Sequence, residues 1–171
     1  MTLEALRVFA CLPEAQRPPV ITVAAGTPVQ VWLNRSERKP YMFGHGRQFK
    51  TVKWPPLWYD AYTVLETLSW YPSVWAGPEA LPAHRRGVAE LAACVTAYNF
   101  GGDGRVTPRS CYRGFERFSF GQKKTPSPLA TALLCRVLRR LDDLTEDIMA
   151  VDVLSLSSSM GGTGIPLPPR F

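Results

Sequence analysis

Pro18-Pro19-Val20-Ile21-Thr22-Val23-Ala24-Ala25-Gly26-Thr27-Pro28-Val29-Gln30-Val31-Trp32-Leu33 is the stretch on which the reading of the fold turns. Val20–Val23 and Val29–Leu33 are β-branched and aromatic runs, and the Ala-Ala-Gly-Thr-Pro between them supplies turn residues at hairpin spacing. The pattern predicts two antiparallel strands. Upstream, the apolar run Leu6–Leu12 is closed by Pro13 and by Arg17-Pro18-Pro19, which fits neither a central strand nor a helix interior. Residues 1–19 are therefore expected to form an entry arm or edge strand.

Downstream, Asn34–Lys39 is a polar, basic connection, and Tyr41–Lys53 mixes Gly44 and Gly46 with aromatics and cations, with a third strand expected near Phe49–Val52. Trp54-Pro55-Pro56-Leu57-Trp58 is a stiff elbow. Tyr62, Leu65 and Leu68 or Ser69 at three-and-four spacing predict a helix over 59–70, ahead of Pro72. Val88, Leu91, Ala92, Val95 and Tyr98 predict a second helix over 83–99, ended by the turn Gly101-Gly102-Asp103-Gly104. Alternation through Cys111–Gln122 reads as a strand returning to the sheet. Ser127 as N-cap and Pro128 in the first turn open a third helix. Its apolar stripe, Leu129, Leu133, Val137, Leu141, Leu144, Ile148 and Val151, predicts one long element. The expected class is thus α+β: a small antiparallel sheet, two central helices and a long C-terminal helix packed on it. The expected domains are the arm 1–19, a basic body 20–154, and a flexible Ser/Gly/Pro-rich tail 155–171.

With 171 residues, 46% of them hydrophobic, the chain is long enough for one domain with a sizeable core. Apolar runs such as Leu129–Leu134 fall far short of the roughly 18 residues that a membrane span needs. Glu4, Arg7 and Glu14 interrupt any signal-peptide core. A cytoplasmic protein, peripheral to a membrane at most, is expected. Cys11, Cys94, Cys111 and Cys135 form no Cys-x-x-Cys pair, so free thiols in a reducing compartment are expected, with Cys94 and Cys135 as small buried hydrophobes.

Catalytic chemistry finds little purchase. His45 lies in Gly44-His45-Gly46-Arg47, where bare backbone would admit an anionic ligand, but no spaced carboxylate or second His accompanies it, and it reads as a loop histidine. His84, ahead of Arg85-Arg86, reads as a solvent-facing neighbour of a helix start. Gly101–Arg105 lacks the Gly-Lys-Ser/Thr ending of a phosphate loop. Asp142, Asp143, Glu146 and Asp147 share a helix face but lack oxygen ligands from a second element. No catalytic residue, cofactor or metal is assigned, and a non-enzymatic protein is expected.

The charge is informative. All but one of the 20 Lys and Arg residues precede residue 141, whereas 141–171 carries Arg170 against Asp142, Asp143, Glu146, Asp147 and Asp152. Two segments concentrate the cations beside aromatics. Arg35, Arg38, Lys39, Arg47, Lys50 and Lys53 are interleaved with Tyr41, Phe43 and Phe49; Arg105, Arg109, Arg113, Arg117, Lys123 and Lys124 with Tyr112, Phe115, Phe118 and Phe120. Basic charge beside rings suits an anionic membrane, where rings insert at headgroup depth, or a nucleic acid or nucleoprotein, where bases stack. In the tail, Pro166, Pro168, Pro169 and Arg170 form a polyproline core suited to a WW- or SH3-type partner. Pro55-Pro56-Leu57-Trp58-Tyr59 misses the Pro-Pro-x-Tyr pattern by one residue.

The order of these elements resembles viral matrix proteins of the rhabdovirus type, in which a small basic domain self-associates and binds membrane and nucleocapsid. The resemblance covers architecture only, since that family's Lys-rich N-terminal arm and Pro-Pro-x-Tyr motif are absent. It implies a structural or assembly protein, self-associating and bound to an anionic surface. The alternative is a nucleic-acid-binding accessory or regulatory protein.

Overall fold

The computed structural model describes residues 2–35, 52–57 and 60–159. Helix α1 spans Thr2–Phe9, α2 Pro19–Leu33, α3 Ala61–Leu68, α4 Pro72–Trp75, α5 Pro82–Asn99, α6 Pro128–Arg140, α7 Thr145–Met149 and α8 Val153–Ser159. The strands are β1, Lys53–Trp54, and β2, Ser110–Cys111, paired in parallel with Lys53 opposite Ser110 and Trp54 opposite Cys111. The expected antiparallel sheet is absent among the described residues; the protein is mostly helical. The likeness to matrix proteins rested on a sheet-first order of elements and loses that support.

The decisive stretch is a single helix. Pro19 sits in its first turn, where its missing N–H costs nothing, and Ala25, Pro28, Val29 and Trp32 fall on one buried face at three-and-four spacing. Val20 and Val23 point to solvent. Packing overrides the strand preference of the β-branched residues because α2 approaches α5 unusually closely. A Cβ on Gly26 would stand 2.9 Å from the His84 ring, and one on Gly87 2.8 Å from a Val29 methyl. Gly26-Thr27-Pro28, expected as a turn, is therefore the close-contact segment of a helix.

Four further expectations are corrected. The N-terminal arm is helix α1, whose Leu3 and Leu6 enter the core three residues apart, while the Tyr71 hydroxyl donates to the Leu6 carbonyl at 2.6 Å. The returning strand is only Ser110–Cys111; the rest of 112–122 is turns and a 3₁₀ turn at Ser119–Gly121. The long C-terminal helix breaks at Leu141, giving a 3₁₀ turn, Asp142–Leu144, and then α7 and α8. A three-residue turn keeps Leu141 and Leu144 both inward beside Leu134 and Val137, so the stripe survives although the helix does not. Residues 155–159, expected in the tail, belong to α8, and Leu156 is half-buried against the core.

Helix α5 is the axis of the core, packing on α2, α3, α4, α7 and α8. Trp32, Trp54, Trp75, Tyr62, Tyr71 and Tyr98 are the largest wholly buried side chains around it. Its bounds and those of α3 lie close to the sequence expectation. Among the described residues no helix is long and apolar enough to cross a membrane.

Candidate functional site

The second basic segment forms a surface loop between α5 and α6. It is tied at its base: Phe100 and Val106 form an antiparallel bridge across the Gly101–Gly104 turn, and the Ser127 N–H donates to the Val106 carbonyl at 2.8 Å. Ser127 also caps α6 by accepting from the Ala130 N–H at 3.2 Å, and its hydroxyl lies 3.1 Å from that of Ser119. Between these anchors the Tyr112 N–H donates to the Trp54 carbonyl at 2.8 Å, and Lys53 Nζ lies 4.2 Å from the centre of the Tyr112 ring.

At the tip, Gly114 takes φ +93°, a conformation that favours glycine, and lets Glu116 fold back to accept from the Gly114 N–H at 2.9 Å. Backbone hydrogen bonds to its carboxylate hold Glu116 below the usual carboxyl range, with Lys123 adding a smaller effect in the same direction. Phe118 stacks on Phe120 with ring centres 5.1 Å apart, and Phe115 stands tilted against both. Phe120 is buried, Phe115 half-buried, and Phe118 is 53% exposed. Leu129, in the first turn of α6 and two residues beyond the Ser119–Ser127 contact, is 47% exposed.

The twelve cations expected to form the binding surface divide sharply. Arg38, Lys39, Arg47 and Lys50 lie outside the described residues, as do His45 and the tail residues Pro166, Pro168, Pro169 and Arg170. Arg35 is structural: its guanidinium stacks 4.1 Å from the Trp32 ring centre and 3.6 Å from Glu90. Burial lowers its pKa despite that carboxylate. Arg105 pairs with Asp103 at 2.7 Å, and its hydrogen bonds depress the Asp103 carboxyl. Lys53 is held on Tyr112 and Lys123 faces Glu116. Arg109, Arg113, Arg117 and Lys124 are exposed and make no ion pair among the described residues. The loop and the first turn of α6 thus each expose an apolar side chain, Phe118 and Leu129, in a segment whose exposed cations outnumber its carboxylates.

Other candidates resolve differently. His84 is half-buried between α5 and α2, its Nε2 2.9 Å from the Gln30 amide nitrogen, and is not the solvent-facing residue expected. Cys94 is buried as expected, whereas Cys135 is exposed, and no disulfide joins cysteines among the described residues. Asp147 is bound by Arg85 at 2.5 Å, and among the described residues no three His, Cys, Asp or Glu side chains are placed to hold a metal. One feature escaped sequence reasoning. Arg7, Arg17 and Arg140, from three separate elements, line a common groove of about 870 Å³. Only the apolar periodicity that docks α1 and α6 side by side with α3 could have hinted at it.

No protein-family model, curated protein or solved structure matches this chain, so the surface is read from its own geometry.

Proposed function

We propose that the chain is a non-enzymatic assembly protein that docks on an anionic membrane surface through the 105–124 loop. The observation that carries this reading is the exposed Phe118, stacked on Phe120 in the same loop that carries the exposed Arg109, Arg113, Arg117 and Lys124, none of which makes an ion pair among the described residues. Each cation held near an anionic bilayer contributes about 1 kcal/mol, and the ring adds apolar insertion at headgroup depth. The loop's anchors support the role, because a tip tied at Val106, Ser119 and Ser127 meets the surface without first having to be ordered.

The same ring and cations would serve a nucleic acid, whose bases stack on aromatic faces. Leu129 favours lipid, since it offers apolar bulk but no plane for a base. Co-sedimentation with phosphatidylserine vesicles, beside filter binding of single-stranded RNA, tests the proposal. Retention on phosphatidylserine but not phosphatidylcholine vesicles, weakening as salt rises, is the expected result. Binding to RNA alone transfers the surface to the nucleic-acid reading, and binding to neither at low salt removes both.

A further inference from the structure

At the opposite end of α6 from the loop, the last turn of α1 and residues 10–17 face Glu66–Pro72 across the groove of about 870 Å³, with Arg140 closing one side. A volume of this size falls in the range of ligand clefts, roughly 300–1,000 Å³. Arg17 is only 9% exposed. Its Nε donates to the Leu12 carbonyl at 3.0 Å, its Nη1 donates to the Trp70 carbonyl, and its guanidinium lies 4.5 Å from the Tyr71 ring centre. Arg140 stacks 3.6 Å from the centre of the Trp70 ring and reaches Ser69 Oγ at 3.5 Å. Both cations therefore converge on the Ser69-Trp70 segment.

The two carboxylates in the groove are already engaged. Glu14 accepts from Ser73 Oγ at 2.6 Å and from the Ser73 N–H at 3.3 Å, and Glu66 lies 3.2 Å from Arg136. Among the described residues no ion pair reaches Arg7, Arg17 or Arg140. Among the described residues the nine-tenths-buried Arg17 guanidinium meets carbonyls and a ring and no carboxylate at ion-pair distance, an arrangement that an incoming anion would favour. The remaining lining, including Leu12, Pro13, Trp70 and Pro72, is largely apolar.

We propose that this groove binds an acidic peptide segment of a partner protein, its carboxylates on Arg7, Arg17 and Arg140 and its apolar side chains against Trp70 and the prolines. Charge complementarity selects the ligand, and guanidinium forks fit carboxylates. The lining favours a peptide over a small inorganic anion: the Ser73 N–H, the kind of donor a phosphate seeks, is filled by Glu14, and the walls are apolar. Since α6 has 13 residues, rising about 1.5 Å each, the groove lies on the order of 18 Å from the loop anchored at Ser127. The site stands independently of the membrane reading and would make the protein two-ended.

The test is built on two exposed thiols. Cys11 lines the groove and Cys135 does not. A short fluorescein-labelled peptide of alternating Glu and Phe should bind the full chain saturably and slow alkylation of Cys11, leaving the rate at Cys135 unchanged. Arg7→Glu combined with Arg140→Glu should weaken binding at least about tenfold, whereas Arg113→Glu combined with Arg117→Glu should not. The Cys11 protection is read on the unmutated protein, so a variant that fails to fold does not rescue the idea. Equal binding of a Gln/Phe peptide, equal loss in both double variants, or no protection of Cys11 overturns the proposal. So does displacement of the peptide by millimolar inorganic phosphate, which would make the groove a simple anion site. Concentration-dependent self-association abolished by the groove variant would assign it instead to a second copy.

Discussion

Replacing Asp60 by Asn should abolish a loss of stability that accompanies rising pH between about 4 and about 6. Asp60 is 8% exposed and N-caps α3, its carboxylate accepting from the Thr63 N–H at 2.8 Å and the Thr63 hydroxyl at 3.0 Å. It also accepts from the Lys53 N–H at 3.4 Å, which ties β1 to α3. Burial pushes its carboxyl up to about 6 from an ordinary value near 3.8, although the donors from Thr63, Lys53 and Tyr62 pull the other way. Between those two values the folded chain binds more protons than the unfolded chain, so stability falls as pH rises through the window from about 4 to about 6. At about 1.4 kcal/mol per pH unit, roughly two units correspond to about 3 kcal/mol. Asn retains a capping oxygen and cannot ionise. Urea unfolding of both proteins at intervals from pH 4 to 7 should therefore show the wild type losing about 3 kcal/mol relative to Asp60→Asn. A difference that stays constant, or that grows in favour of the wild type as pH rises, would refute the account of Asp60 as a desolvated carboxyl.

Two glycines provide further checks. Gly87→Ala places a methyl 2.8 Å from Val29 Cγ1 and 3.2 Å from Leu33 Cδ2, so overpacking of α2 on α5 should exceed the gain in helix propensity. A loss of about 1–2 kcal/mol in urea is expected, and an unchanged or raised midpoint would contradict the close helix contact. Gly121→Ala would drive its Cβ into the Phe115 carbonyl oxygen and to 2.8 Å from the Glu116 Cα, both backbone atoms of the loop. It should expose 112–122 to protease while the helical circular dichroism persists; resistance equal to the wild type would show that the loop is not packed as described.

How far the sequence announced this structure depends on where the signal lay. The start of α6 was legible because Ser127 and Pro128 are local capping signals, and α5 because its stripe from Val88 to Tyr98 belongs to one long helix. The break at Leu141 was not, since a 3₁₀ turn preserves the three-residue spacing that the stripe reports. Helix α2 misled because Val20–Val23 and Val29–Leu33 carry strand propensity, and the close contacts of Gly26 and Gly87 that override it join residues far apart in the chain. For the candidate surface, composition located the exposed cations of 109–124. It could not separate Phe118 from its buried neighbour Phe120 or Arg117 from Arg35, because exposure is decided by tertiary packing. The Arg7–Arg17–Arg140 groove, assembled from three elements, left no contiguous trace.

The most direct test of the central claim is the partition of the protein onto phosphatidylserine vesicles, measured by flotation with and without Phe118→Ala and Leu129→Ala at constant ionic strength. These substitutions leave every cation in place, so they isolate the apolar tip from the electrostatic attraction. Full burial of such side chains contributes about 1.5–3 kcal/mol each, and partial insertion of both should still give a loss of tenfold or more. If the double variant partitions as the wild type does, or if the wild type partitions equally onto phosphatidylcholine, the loop is not the membrane-docking surface.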